Sequence, residues 1–192
     1  MRLRLASASE RRRTLLEQVG LRPEVHPTHV DESRLPGEEA EDYVERLARL
    51  KAAAGRDPNV ELVLGADTAV VLDKEILGKP ADAQEAVAML TRLSGRSHRV
   101  LTGVTLMGHP CPEGRSLVVA SQVWIKELSQ TEIRAYVASG EPMDKAGAYG
   151  IQGLGAFLVA RVEGSWSGVA GLPLYETLGL LASFGLTFAS EE

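Results

Sequence analysis

The chain carries a single cysteine, Cys111, between Pro110 and Pro112, so it forms no internal disulfide. That fits a reducing compartment, and Cys111 reads as a plain loop residue. No run reaches the ~18 apolar residues of a membrane span. No apolar leader opens the chain, which goes straight into a strand pattern. The expectation is a soluble, cytoplasmic protein with no membrane partner. An excess of positive charge is also missing: 21 Lys and Arg stand against 26 Asp and Glu, a net charge of −5. A general binder of nucleic acid polymers needs a basic surface, so the balance argues against one, but not against a small anion held in a local basic pocket. His26, His29, His98 and His109 show no metal-ligand spacing, and Pro27 lies between the first two. Neither Gly-x-x-x-x-Gly-Lys-Ser/Thr nor Gly-x-Ser-x-Gly occurs, which removes the ordinary P-loop NTPase and α/β-hydrolase classes. There is no internal repeat and no low-complexity tract.

Residues 3–16 read as a short strand, a loop of small residues and a helix, with Ser9 as N-cap. Glu10, Arg11 and Arg12 then occupy the first turn, at the positive end of the helix dipole. Each cation there costs about a few tenths of a kcal/mol unless an anion offsets it. Small residues before a helix N-terminus let backbone N–H groups close on a phosphate. The segment therefore suits a phosphorylated ligand, and equally a solvated basic turn partly neutralised by Glu10.

Along the 192 residues, enough for one domain with a core, strand and helix patterns alternate. Residues 60–72 predict a largely apolar strand interrupted at 65–68. Residues 41–54 predict a helix with Tyr43, Leu47, Leu50 and Ala54 on one face and the pairs Asp42–Arg46 and Glu45–Arg49. Residues 82–94 open on a capping box, Asp82 with Glu85, stop at Gly95 and turn Ala86, Val87, Leu90 and Leu93 inward. Ser129 with Glu132 makes a second box, and that helix stops at Gly140; a last helix covers 174–184. Residues 99–107 and 116–125 predict a hairpin joined by 108–114, and 156–162 another strand. The pattern is α/β: a long, twisted, mixed sheet with flanking helices, one domain in two lobes.

Several residues stand out chemically. Asp67 is a carboxylate in an apolar strand, costly unless paired or metal-bound. It reads as a general base or metal ligand, or as a strand-end aspartate held by Thr68 or backbone N–H groups. Lys79, between Gly78 and Pro80, suits a fixed point charge on a phosphate and also suits a solvated loop. Taken singly, Lys51 reads as a surface lysine and Glu32 as a solvated loop acid. Residues 144–155 hold four glycines without helical or strand period, a loop permitting close backbone approach. Within it Asp144 and Lys145 can pair, and the amide of Gln152 can read a base edge or orient water. Residues 164–173 form a second glycine-rich loop.

Taken in order, these segments resemble the Maf family of nucleoside triphosphate pyrophosphatases over essentially the whole chain. Leu5-Ala-Ser-Ala-Ser-Glu-Arg-Arg12 resembles the family's opening Ser-x-Ser-Pro-Arg-Arg, with Glu10 in place of the usual proline. Gly65-Ala-Asp-Thr68, Gly78-Lys-Pro80, Leu93-Ser-Gly95 with His98, and Thr102-Gly-Val104 follow in family order. Asp144-Lys-Ala-Gly-Ala-Tyr-Gly-Ile-Gln-Gly153 resembles the branch acting on dTTP and UTP rather than the branch directed at modified guanine nucleotides. The resemblance implies an elongated sheet in two lobes around a deep cleft. It implies Asp67 as catalytic base, with Arg11, Thr68 and Gln152 associated with pyrimidine choice. Ser7, Arg11, Arg12, Lys51 and Lys79 would line the phosphate site, and Glu32 with Asp67 would bind a divalent cation, Mg²⁺ or Mn²⁺.

The expected reaction is hydrolysis of a nucleoside triphosphate, dTTP or UTP with modified pyrimidine nucleotides left open, to a monophosphate and pyrophosphate. Such chemistry must neutralise phosphate charge, aim water at the α-phosphorus and let pyrophosphate leave. The rival classes are a nucleotide-binding regulator with little turnover and a nucleotidyltransferase. A carboxylate beside the phosphates gives a pure anion binder nothing, which separates Asp67 as base from the first rival. Oligomeric state stays open, a homodimer included.

Overall fold

The structure, a computed structural model, describes residues 1–187. The opening of the chain folds as its sequence predicts. Strand β1 (Leu3–Leu5) leads through a short loop into helix α1 (Glu10–Gln18), and the Ser9 side chain accepts from the Arg12 N–H at 3.4 Å. The remaining strands are β2 (Glu24–Val25), β3 (Leu62–Leu72), β4 (Glu75–Leu77), β5 (Ser97–Gly108), β6 (Cys111–Ile125) and β7 (Val159–Glu163). The helices are α2 (Ala40–Ala54), α3 (Ala83–Leu93), α4 (Gln130–Ala138), α5 (Trp166–Ala170) and α6 (Leu174–Ala182). The strands form one seven-stranded sheet in the order β2-β1-β3-β5-β6-β7, with β4 paired to β3. β1 runs parallel to β2 and β3, while β3–β4 and β6–β7 are antiparallel. The fold is thus mixed α/β with flanking helices, as read from the sequence. No helix among the described residues is long and apolar enough to cross a membrane.

The chain divides into two compact units, with β3, β5 and β6 contributing residues to each. Among the described residues the first takes in 1–67, 102–119 and 171–187. Leu5, Leu15, Leu16, Leu47, Leu62, Leu64 and Leu106 are fully buried within it. Here the sequence expectation for 60–72 needs correction: β3 is unbroken through Gly65. A Cβ at Gly65 would sit 2.2 Å from the Ala48 carbonyl oxygen and 2.5 Å from the Ala52 nitrogen. One at Gly103, in the neighbouring strand β5, would sit 2.4 Å from the Val44 carbonyl oxygen. The two glycines are a notch that takes in the backbone of α2, not a break in the strand. The inward face of α2 shifts accordingly to Val44, Leu47, Ala48, Lys51 and Ala52, and Leu50 and Ala54 are exposed. Glu45 meets Arg49 at 3.5 Å as expected, but Arg46 turns to Glu38.

The second unit takes in residues 68–101 and 120–170. Its core packs Val70, Leu72 and Leu77 with Leu90 and Leu93 of α3, Val123 and Ile125 of β6, and Ile133 and Tyr136 of α4. Ser129 and Glu132 close the full capping box on α4. On α3 the box is half made: Asp82 accepts from the Glu85 N–H, but the Glu85 carboxylate accepts from the Ala81 N–H instead of Asp82. The predicted hairpin has longer strands and a shorter turn than expected. Residues 153–158 form a 3₁₀ turn before β7, not strand, and 164–173 contains α5. Buried His98 shares a 2.6 Å hydrogen bond between its Nε2 and the Tyr149 hydroxyl, with the two rings edge to face.

Two predictions follow from these contacts. Gly65→Ala pushes α2 off the sheet and is expected to cost about 1–3 kcal/mol or more in urea denaturation. Gly179→Ala, inside α6 with nothing within 4 Å, is expected to gain about 0.5–1 kcal/mol; equal effects would refute the notch. Burial pushes the His98 pKa from 6.5 down to about 4. Between those values only the unfolded chain takes the proton. Stability therefore falls as pH drops through that window, by up to about 1.4 kcal/mol per pH unit. His98→Gln is expected to flatten that part of the pH–stability curve.

Candidate functional site

The opening loop, α1, the segment before α2, α2 and β3 bring five of the sequence-predicted residues together in the first unit. Lys51 lies in the last turn of α2, on its buried face, because the notch at Gly65 draws that turn against β3. Two residues further along β3 is Asp67, and Lys51 Nζ lies 2.6 Å from its Oδ1. The same ammonium lies 2.7 Å from Glu32 Oε1. Lys51 and Asp67 are both buried, while Glu32 is exposed. The surface-lysine alternative for Lys51 is therefore wrong, and so is a merely solvated Glu32. The apolar pattern of α2 gave the wrong face because it placed Leu50 inward instead of Lys51. The strand-end alternative for Asp67 fails too, since β3 continues for five residues beyond it.

Arg12 completes the group. Its guanidinium is buried, donating from Nε to the Gly171 carbonyl at 2.8 Å and from Nη1 to Ser7 Oγ at 3.2 Å. Ser7 Oγ also accepts from the Ser9 N–H at 3.2 Å. Arg11, half-buried, follows the N-cap by two positions in the same first turn of α1. Burial raises the Asp67 pKa above the ordinary carboxylate value, with Lys51 and Arg12 pulling against it. Burial lowers the Arg12 pKa, opposed by Asp67. Two cations, Arg12 and Lys51, thus face two acids, Asp67 and Glu32.

A buried lysine–carboxylate pair is poor value for stability, since an apolar pair of similar volume does as well or better. Its presence here calls for a chemical use. Among the described residues there is no cluster of three or more His, Cys, Asp or Glu fit to hold a metal. The donor chemistry of Glu32 and Asp67 nonetheless suits a hard cation: two carboxylates converge on one point, and each has a second oxygen. Mg²⁺ commonly takes one or two protein carboxylates, completing its shell with phosphate and water.

The sequence missed what fixes Glu32. The Tyr43 hydroxyl donates to the Glu32 carbonyl at 3.0 Å. Arg46 donates to the Ser33 carbonyl at 3.0 Å and to Glu38 Oε2 at 2.8 Å. Helix α2 therefore holds both Lys51 and the segment that presents Glu32. The only sequence signal was the set of polar residues one helical turn apart on α2.

The other predicted residues belong to the second unit. Thr68 follows Asp67 on β3 and is half-buried. Lys79 is exposed, in a segment tied down where the Gly147 N–H donates to the Gly78 carbonyl at 3.0 Å. Gln152 is half-buried, and its side chain makes no hydrogen bond to any described residue. Asp144 and Lys145 do pair, at 2.7 Å.

Two buried cations beside a buried acid, on a mixed α/β sheet, make an arrangement whose chemistry can take an anionic ligand. The Maf-like protein family matches residues 2–184, and the chain belongs to the Maf family. It is 56% identical over 184 residues to a dTTP/UTP pyrophosphatase of Myxococcus xanthus, covering 95% of this chain and 92% of that protein. It is 50% identical over 185 residues to a dTTP/UTP pyrophosphatase of Vibrio cholerae, covering 95% and 98%. The solved structure of the Staphylococcus aureus Ham1 protein gives a TM-score of 0.47 at 16% identity, covering 83% of this chain and 80% of that one.

Lys51→Met is expected to lower stability by up to about 3–5 kcal/mol, because it strands a buried carboxylate. Asp67→Asn keeps an amide oxygen for Lys51 and leaves Glu32 in place, and is expected to cost about 1 kcal/mol or less. Denaturant titration of both variants checks this, and equal losses would refute the asymmetry.

Proposed function

We propose that this chain hydrolyses dTTP and UTP between the α and β phosphates, releasing the monophosphate and pyrophosphate. The observation that carries the proposal is the buried Asp67 held by Lys51, beside Ser7 and Arg12 at the start of α1. Close identity to dTTP/UTP pyrophosphatases along almost the whole chain supports it.

In this scheme the triphosphate brings the negative charge that the first turn of α1 is short of. Ser7, Arg11, Arg12 and Lys51 take its oxygens, each charge-assisted contact contributing roughly 1.5–3 kcal/mol. Lys79 adds a further point charge. Glu32 and Asp67 would hold a divalent cation, Mg²⁺ or Mn²⁺, which when bound supplies positive charge against the phosphate oxygens. Asp67 accepts the proton of the attacking water. Burial raises its pKa and makes it a better base than a solvated aspartate, while Lys51 pulls the other way. Arg11, Thr68 and Gln152 select the pyrimidine.

Incubating the protein with UTP and Mg²⁺ is expected to give UMP and pyrophosphate, not UDP and phosphate. Asp67→Asn is expected to cut turnover by about 10²–10⁴ with the fold intact by circular dichroism. Near-normal turnover in that variant would remove Asp67 as base. Tight UTP binding with no product from the unaltered protein would point to a nucleotide-binding regulator instead.

A further inference from the structure

Residues 150–155 close on themselves. A Cβ at Gly155 would lie 2.2 Å from the Gly150 carbonyl oxygen and 3.0 Å from the Gly150 nitrogen, so the two ends of this six-residue loop are in backbone contact. Gln152 sits in the bend between them. Both ends are tied to one pair of side chains from outside the loop. On one side the Gly150 N–H donates to the Tyr136 hydroxyl at 3.2 Å. On the other, the Gly155 N–H donates to Glu141 Oε1 at 2.8 Å and the Leu154 N–H to Glu141 Oε2 at 2.9 Å. The Tyr136 hydroxyl in turn donates to Glu141 Oε1 at 2.9 Å, joining the two ties.

Each feature of the loop fits this clamp. Gly153 has φ +66°, and a Cβ there would lie 2.7 Å from Glu141 Oε2, so the carboxylate reaches the loop only because 153 has no side chain. Lys145 donates to the Glu141 carbonyl at 2.6 Å, and its stem lies over Gly150, where a Cβ would be 2.8 Å from Lys145 Cε. Tyr136 is buried. Burial pushes the Glu141 pKa up, but the Gly155 and Leu154 N–H groups and the Tyr136 hydroxyl outweigh it, so the carboxylate stays ionised and accepting. A side chain held this firmly by three donors is more than a helix-end ornament: it fixes the backbone on both sides of an amide that has no partner among the described residues.

We infer that Glu141, bridged by Tyr136, is a positioning residue for base selection: it holds the 150–155 loop so that Gln152 presents its amide in one fixed orientation to the pyrimidine edge. The inference rests on the proposed role of Gln152 and deepens it. An amide on a loose loop adapts to a purine as readily as to a pyrimidine; one on a clamped loop does not.

The test measures kcat/KM for UTP and GTP with Glu141→Gln, Tyr136→Phe and Gln152→Ala, and with each of the first two combined with the third. Glu141→Gln keeps the shape but replaces one accepting oxygen with an NH₂ group. Tyr136→Phe fills the same space without the bridging hydroxyl, and serves if Glu141→Gln does not fold. Each is expected to lower the UTP-to-GTP ratio about tenfold, the scale of one lost hydrogen bond to the base. In the Gln152→Ala background neither is expected to lower it further, because the clamp acts through Gln152. A lower melting temperature with an unchanged ratio in both variants would overturn the clamp and leave it a structural tie. A lowered ratio that adds fully to that of Gln152→Ala would overturn it too. An unchanged ratio in Gln152→Ala itself would remove the base-reading role, and the clamp with it, independently of whether UTP is hydrolysed.

Discussion

The approach of helix α2 to strands β3 and β5 is the constraint on which the candidate site depends. Two missing side chains, at Gly65 and Gly103, let the helix backbone settle against two adjacent strands. With that depth fixed, the last turn of α2 delivers a lysine to an aspartate two residues past the first glycine. A helix resting on ordinary side chains would stand off the sheet by the width of a methyl group or more, too far for a 2.6 Å contact. The backbone geometry therefore comes first and the electrostatics second. The same helix also secures the segment bearing Glu32, through Tyr43 and Arg46, so one packing decision arranges both acids around one ammonium.

The resulting group is balanced in formal charge, and that balance has chemical sense. Fully unpaired cations in a buried place would shift toward neutrality, and a lone buried carboxylate would take up a proton. Arg12, Lys51, Asp67 and Glu32 are instead held against each other. On the proposed function, a triphosphate would compete with the acids for these cations. Most of the cost of assembling the site is met at folding rather than at the moment of reaction.

Much of this was legible in the sequence. The capped start of α1, the alternation that makes a mixed sheet, the box on α4 and the identities of Ser7, Arg12, Lys51, Asp67 and Glu32 could all be read from local pattern and family resemblance. What could not be read came from long-range packing. Gly65 looked like an interruption because a glycine in a strand is locally weak; its reason lies in a helix that precedes it in the chain. Lys51 looked exposed because periodicity weighs apolar residues and took Leu50 as the inward one. Glu141 escaped notice because it lies three residues before the glycine-rich segment, and nothing in its own neighbourhood says that its carboxylate serves Leu154 and Gly155.

The hydrogen bond from Arg12 to the Gly171 carbonyl spans 159 positions of chain. Synthesis runs from the amino end, so a growing polypeptide has every charged member of the group in place by residue 67 yet lacks the acceptor that steadies the guanidinium until residue 171 has been added. Emerging chains thus carry the charges long before they can aim them, and the group is complete only when the segment around Gly171 seats itself beside the first helix.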